Sequence, residues 1–126
     1  MVKLKRVYEK PDPDDGRRIL VDRLWPRGLK KADAHLEAWL KDLAPSTELR
    51  QWFAHNPERW EEFRRRYRQE LEAPEKAPFL EELLHQARQG IVTLVFAAKD
   101  EERNNAVVIK QFLEKRLAAA PASRAG

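Results

Sequence analysis

The chain has 126 residues, 42% hydrophobic and 37% charged, which suits one domain around one modest core. Lys and Arg number 25 against 21 Asp and Glu, and the resulting net charge of +4 favours acidic ligands without demanding nucleic acid. With no cysteine, disulfides, thiolate zinc sites and cysteine nucleophiles are excluded. No apolar run reaches the length of a membrane span and no signal-peptide core opens the chain, so a cytoplasmic protein without membrane contact is expected.

In chain order, Lys3 to Tyr8 reads as a first strand and Pro11-Asp12-Pro13-Asp14-Asp15-Gly16 as a loop. Arg18 to Leu24 is the second strand, and its unbroken Ile19-Leu20-Val21 core suits burial on both faces. A helix is expected from about Ala34 to Leu43, where Leu36, Trp39, Leu40 and Leu43 keep the spacing of one apolar face. Pro45 ends it, and Ser46 or Thr47 caps a short helix carrying Leu49, Trp52 and Phe53. Asn56-Pro57 opens the next helix, which runs to Glu72 with Trp60, Phe63, Tyr67 and Leu71 on one stripe and Glu–Arg pairs on the other. Phe79, Leu80, Leu83 and Leu84 mark a further helix that Gly90 ends. Ile91 to Ala97 is the third strand, and Ala98 to Arg103 a polar loop. The last helix runs from Asn104 or Asn105 to Leu117, which leaves 1–117 as a single domain and 118–126 as a flexible tail.

These elements predict an α/β fold: a small, mostly parallel three-stranded sheet covered by four to five helices. The loop between the first two strands is short for a parallel crossover, which locally suggests a hairpin. The strand cores, apolar on both faces, suggest a parallel sheet instead.

The densest chemistry lies where the second strand stops. Asp22-Arg23-Leu24-Trp25-Pro26-Arg27-Gly28 delivers a carboxylate, two guanidinium groups and an indole to one turn. Charges beside a buried strand are costly unless paired or functional. Arg23 and Arg27 offer forked donors for phosphate or carboxylate, and Asp22 a catalytic base or an orienting acceptor. The structural alternative is an Asp–Arg pair that pins the loop, with Trp25 as a core plug. A second cluster, Lys99 and Asp100 followed by Asn104-Asn105, lies where the third strand meets the last helix, the edge at which open α/β sheets bind ligands. There Lys99 would hold an anion and Asn104 supply a donor at the helix start. His35, His55 and His85 share no metal-ligand spacing, and no glycine-rich phosphate loop occurs, so no metal and no cofactor is expected.

Several segments carry a resemblance: K-R-V-Y (Lys5 to Tyr8), R-I-L-V-D-R-L-W-P-R-G (Arg18 to Gly28), P-S-T-E-L-R (Pro45 to Arg50), the pair Phe63 and Tyr67, and A-K-D followed by N-x-A (Asn104 to Ala106). In that order they resemble the YeaO-like bacterial proteins, within the broad family called domain of unknown function 488 (DUF488), over nearly the whole domain. The resemblance implies a small α/β domain whose first two strands run parallel. In the wider family a Cys-His-Arg-like run often starts the final helix, where this chain has Asn104 and Asn105, and close relatives often have Ser in place of Ala97. The family lacks an agreed activity, so it carries no catalytic residue over.

The function these residues favour is the binding of a phosphorylated small molecule or nucleotide in a crevice at the strand ends. Arg23, Trp25, Arg27, Lys99, Asp100 and Asn104 would form the binding set, with Asp22 as orienting group or base. If the protein is an enzyme, a hydrolase without metal or thiol nucleophile is the class to test. The alternatives are a nucleic-acid-binding or regulatory module, using Lys3, Lys5, Arg6, Arg17, Arg18, Lys30, Lys31 and the Arg64 to Arg68 face, and a non-catalytic interaction scaffold.

Overall fold

A computed structural model describes residues 1–124, with 120–124 described by backbone alone. Strand β1 (Val2–Arg6) is followed by a 3-10 turn at Pro13–Asp15, strand β2 (Arg17–Leu20), a one-turn helix α1 (Lys31–Ala34) and a two-residue strand β3 (Ala38–Trp39). Helices α2 (Thr47–Phe53), α3 (Trp60–Leu71) and α4 (Ala77–Gln89) then lead to strand β4 (Val92–Phe96) and the long helix α5 (Asn105–Arg124).

The sheet has four strands in the order β1-β4-β2-β3, not three, and every pairing in it is parallel. The hairpin expectation fails because β4 lies between β1 and β2, matching Val2 to Val92 on one side and Arg17 to Val92 on the other. Residues 7–16 make the return crossing without a helix. About ten extended residues span ~33 Å, which covers both the ~17 Å length of a short strand and two strand spacings of ~5 Å each. Gly16 ends this crossing at φ 60°, and a Cβ there would sit 2.2 Å from the Ile91 carbonyl oxygen, the same oxygen that accepts from Arg17 N–H at 3.0 Å. Gly16→Ala is therefore expected to cost at least about 2 kcal/mol. Urea unfolding checks it, and an unchanged midpoint would contradict the contact.

The helix expected over 34–43 is the largest departure. His35 takes a left-handed φ of 49° and stops α1 after one turn. Glu37 N–H then donates to the Arg18 carbonyl and Leu40 N–H to the Leu20 carbonyl, both at 2.8 Å, so this segment pairs with the open edge of β2. An unpaired edge is a standing demand for hydrogen bonds, and meeting it outweighs the local helical periodicity. Leu36 goes to one side of the sheet, Leu40 and Leu43 to the other, and Trp39 stays at the surface. At the far end α5 continues past Leu117 to Arg124, while residues 125–126 of the expected tail lie outside the described ones.

The main core lies on the face of Ile19, Val21, Val92, Leu94 and Phe96, under α2 to α5, with Phe63, Tyr67, Leu71, Leu80, Leu83, Ile109 and Leu113 fully buried against it. The opposite face is covered by the irregular segment from Trp25 to Leu36 over Val7, Leu20 and Val95. Both faces are thus buried, as the strand cores predict. On that second face sits a buried ion cluster: Asp15 meets Arg18 at 2.8 Å and Lys5 at 3.1 Å, with Asp15 and Arg18 only 5% and 4% exposed. Among the described residues no helix is long and apolar enough to cross a membrane.

Candidate functional site

Because β1, β2 and β4 run parallel, their carboxyl ends meet at one edge of the sheet and release Tyr8, Asp22 to Arg27, and Ala97 to Asp100 there. The segment from Ala44 to His55 closes the other side. Between them is an open crevice of about 810 Å³, a size that accommodates a small organic ligand. The seven residues singled out in the sequence all line it: Asp22, Arg23, Trp25, Arg27, Lys99, Asp100 and Asn104.

Asp22 forms no ion pair with Arg23 or Arg27. Its carboxylate accepts the Ala97 N–H at 2.9 Å and the Asn105 side-chain amide at 3.1 Å, and that amide also donates to the Val21 carbonyl at 3.0 Å. One side chain thereby joins the ends of β2 and β4 to the start of α5. Burial pushes the Asp22 carboxyl above its ordinary value, against the pull of the Ala97 N–H, the Asn105 amide and His55.

The cations differ in how they are held. Arg23 is part-buried, and its Nε is fully enclosed without a partner among the described residues. Arg27 is exposed: Gly28 at φ 77° turns the chain after it, and the Tyr8 hydroxyl donates to its carbonyl at 2.8 Å, leaving the guanidinium uncommitted among the described residues. Lys99 is likewise exposed at the rim. Trp25 donates through Nε1 to the Leu29 carbonyl at 2.7 Å and meets Trp39 edge-on at 5.5 Å, so its indole is fixed as part of the wall.

Two of the expected ligand contacts are spent internally. Asn104 is 3% exposed; it caps α5 by accepting the Val107 N–H at 3.1 Å and donates to the Asp100 carbonyl at 2.9 Å. Its side chain organises the helix start, and Asn105 is the amide that reaches Asp22. Asp100 accepts from the Glu102 and Arg103 N–H groups and pairs with Arg103 at 3.3 Å. The Glu102 N–H, against the effect of burial and with help from Arg103, holds its carboxyl below the usual range.

Arg50, His55 and Tyr8 also line the crevice and were not singled out for it by the sequence, while Asn105 stood in the second cluster without a role of its own. Arg50 stands on α2, whose lead-in is tied to α3: Ser46 donates through its N–H and hydroxyl to Glu70 at 2.8 and 2.7 Å, and the Tyr67 hydroxyl donates to the Leu43 carbonyl. Ala54 and His55 are both left-handed, at φ 46° and 55°, which turns His55 back beside Phe53. Each such non-glycine residue costs on the order of 1 kcal/mol. Phe53 stacks on Phe63 at 4.2 Å to form an apolar floor. The P-S-T-E-L-R segment was a signal for Arg50; His55 had no local one.

The family model described as "Inactive DUF488-N3 subclade" matches residues 1–125. The chain is 46% identical to the uncharacterized protein Rv3073c of Mycobacterium tuberculosis over 91% of this chain and 95% of that protein. It is 41% identical to the uncharacterized protein YeaO of Escherichia coli over 89% of this chain and 96% of YeaO. No solved structure matches it. With the family model spanning nearly every residue and YeaO aligned along most of both chains, this protein belongs to the DUF488 family, in the N3i subclade.

Proposed function

We propose that this domain binds a phosphorylated small molecule or nucleotide in the strand-end crevice and does so without catalysing its turnover. One observation carries it: Arg23, Arg27, Arg50 and Lys99 come from three separate segments to one concave site, and none of the four side chains has an ion-pair partner among the described residues. Cations left uncommitted around an apolar-floored crevice suit an anion attached to an organic body. The amino end of α5 opens at the same edge and adds its positive dipole.

Binding is favoured over chemistry by the residues at the two positions where the family resemblance implies a Ser or a Cys-His-Arg-like run in other members. Ala97 ends β4, and Asn104 and Asn105 start α5, so neither place offers a thiol, hydroxyl or imidazole. The word "Inactive" in the description of the matching subclade points the same way. Asp22 is engaged by two protein donors, which suits an orienting acceptor more than a base.

The basic surfaces that would serve nucleic acid are largely committed. Lys5 and Arg18 meet Asp15, Arg17 meets Glu37, Arg6 donates to the Ala97 and Ala98 carbonyls, and Arg64, Arg65 and Arg66 pair with Glu61 and Glu62. A thermal-shift panel of sugar phosphates, nucleotides, oxyanions and short oligonucleotides at two salt concentrations tests the proposal. A ligand at about a hundred times its dissociation constant should add about 2.7 kcal/mol. Arg27→Glu should erase that shift while leaving the unliganded melting temperature unchanged, since the side chain is exposed. A shift seen only with oligonucleotides and abolished by salt would favour nucleic acid instead.

A further inference from the structure

Asp22 is a carboxylate on the wall of a crevice that gathers four uncommitted cations, and unlike Asp100, which pairs with Arg103, it has no cation partner among the described residues. A carboxylate has about four acceptor positions, and the protein fills two of them, through Ala97 N–H and the Asn105 amide. The rest of its acceptor capacity is available to whatever occupies the open crevice that Asp22 lines. A bare oxyanion placed in the crevice would be repelled by the carboxylate. A ligand that brings hydrogen-bond donors to Asp22 and negative charge to the arginines suits both. An ammonium donor fits poorly, because Arg23, Arg27, Arg50 and Lys99 surround the same space. Neutral hydroxyl groups fit.

We propose, resting on the anion-binding function above, that the ligand is a phosphate ester of a polyol, with sugar hydroxyls donating to Asp22 and the phosphate held by Arg23, Arg27 and their neighbours. Asp22 then acts as a selectivity residue: it admits hydroxylated phosphate esters and disfavours simple oxyanions. A cavity of about 810 Å³ has room for the sugar and for an attached planar group over Phe53.

Calorimetric titration of the wild-type chain with inorganic phosphate, ribose 5-phosphate, AMP, 2′-deoxy-AMP and 2′,3′-dideoxy-AMP tests this. AMP or ribose 5-phosphate should bind at least about tenfold more tightly than inorganic phosphate, and loss of the two ribose hydroxyls should cost AMP about tenfold, the scale of one hydrogen bond to a charged group. In Asp22→Asn, shown by its melting curve to fold, the dideoxy penalty should shrink below about threefold and inorganic phosphate should bind no more weakly than to the wild type. Equal wild-type affinity for AMP and dideoxy-AMP would overturn the inference while leaving the anion site standing. Failure of every phosphate to bind would remove both. With the dideoxy penalty present, tighter binding of AMP than of ribose 5-phosphate would identify a nucleotide, and equal binding a sugar phosphate, with the hydroxyl contact standing in both.

Discussion

Asp15→Asn is expected to destabilise the protein by about 3–5 kcal/mol. The carboxylate lies between Arg18 at 2.8 Å and Lys5 at 3.1 Å, also accepts the Asp12 N–H at 3.1 Å, and is 5% exposed. Arg18 is 4% exposed; its Nε donates to the Ala34 carbonyl at 3.1 Å and its Nη2 has no partner, so among the described residues Asp15 is its one counter-charge. An amide at position 15 would remove the negative charge that two cations share and put an NH2 group where one carboxylate oxygen now accepts. On a domain of this size the loss lowers the melting temperature by roughly 10–20 °C. The effect has a pH signature. Burial pushes the Asp15 carboxyl up, but the Asp12 N–H, Lys5 and Arg18 together hold it below its ordinary 3.8. A depressed carboxyl stabilises the fold above its unfolded value, and that contribution is lost as pH falls through the folded value. The gap between wild type and variant should therefore be full at pH 5 to 7 and narrow below about pH 4. Urea titrations across that range check it; a gap that stays constant to low pH would show that packing, not charge, sets the cost.

Arg23→Ala is expected to give the largest loss at the crevice. Arg23 is part-buried with an enclosed, unpartnered Nε, so its guanidinium is desolvated on one side before any ligand arrives. Truncating a charge in such a place costs about 2–5 kcal/mol of affinity, a factor of roughly 30 to several thousand. Arg27 and Lys99 are exposed and screened, and Lys99→Ala should cost less than about tenfold. Calorimetric titration of a phosphate ester into both variants checks the order. Because the empty wild-type protein carries the cost of burying Arg23, the variant should also be no less stable without ligand. Equal losses in the two variants would contradict the distinction between the part-buried and exposed cations.

The strand-end cluster was legible because it follows directly from local pattern: an apolar run that stops and releases Asp22, Arg23 and Arg27 in the next turn. The same holds for the start of α2 and the end of α4, which Ser46 and Gly90 mark through local hydrogen bonding, and for the 3-10 turn Pro57–Arg59 that leads into α3, which Asn56 caps. The features that were not legible depend on strand order. Pro13-Asp14-Asp15 reads as a turn, and Lys5 and Arg18 read as surface cations, until β4 enters between β1 and β2 and brings all three to one buried face. The apolar spacing from Leu36 to Leu43 matches a helix, but the unpaired edge of β2 claims the backbone first. Arg50 and His55 reach the crevice from the opposite wall, placed by contacts between α2 and α3 that no local spacing encodes.

A chain of 14.8 kDa is well suited to residue-resolved titration by nuclear magnetic resonance. Adding AMP to nitrogen-15-labelled protein tests the strand-end anion site residue by residue. Amide shifts should concentrate at Asp22 to Gly28, Arg50 to His55 and Ala97 to Asn105, and saturate together on one binding curve. Shifts centred on Arg64 to Arg68, or a spectrum unmoved at millimolar ligand, would contradict an anion site at the strand ends.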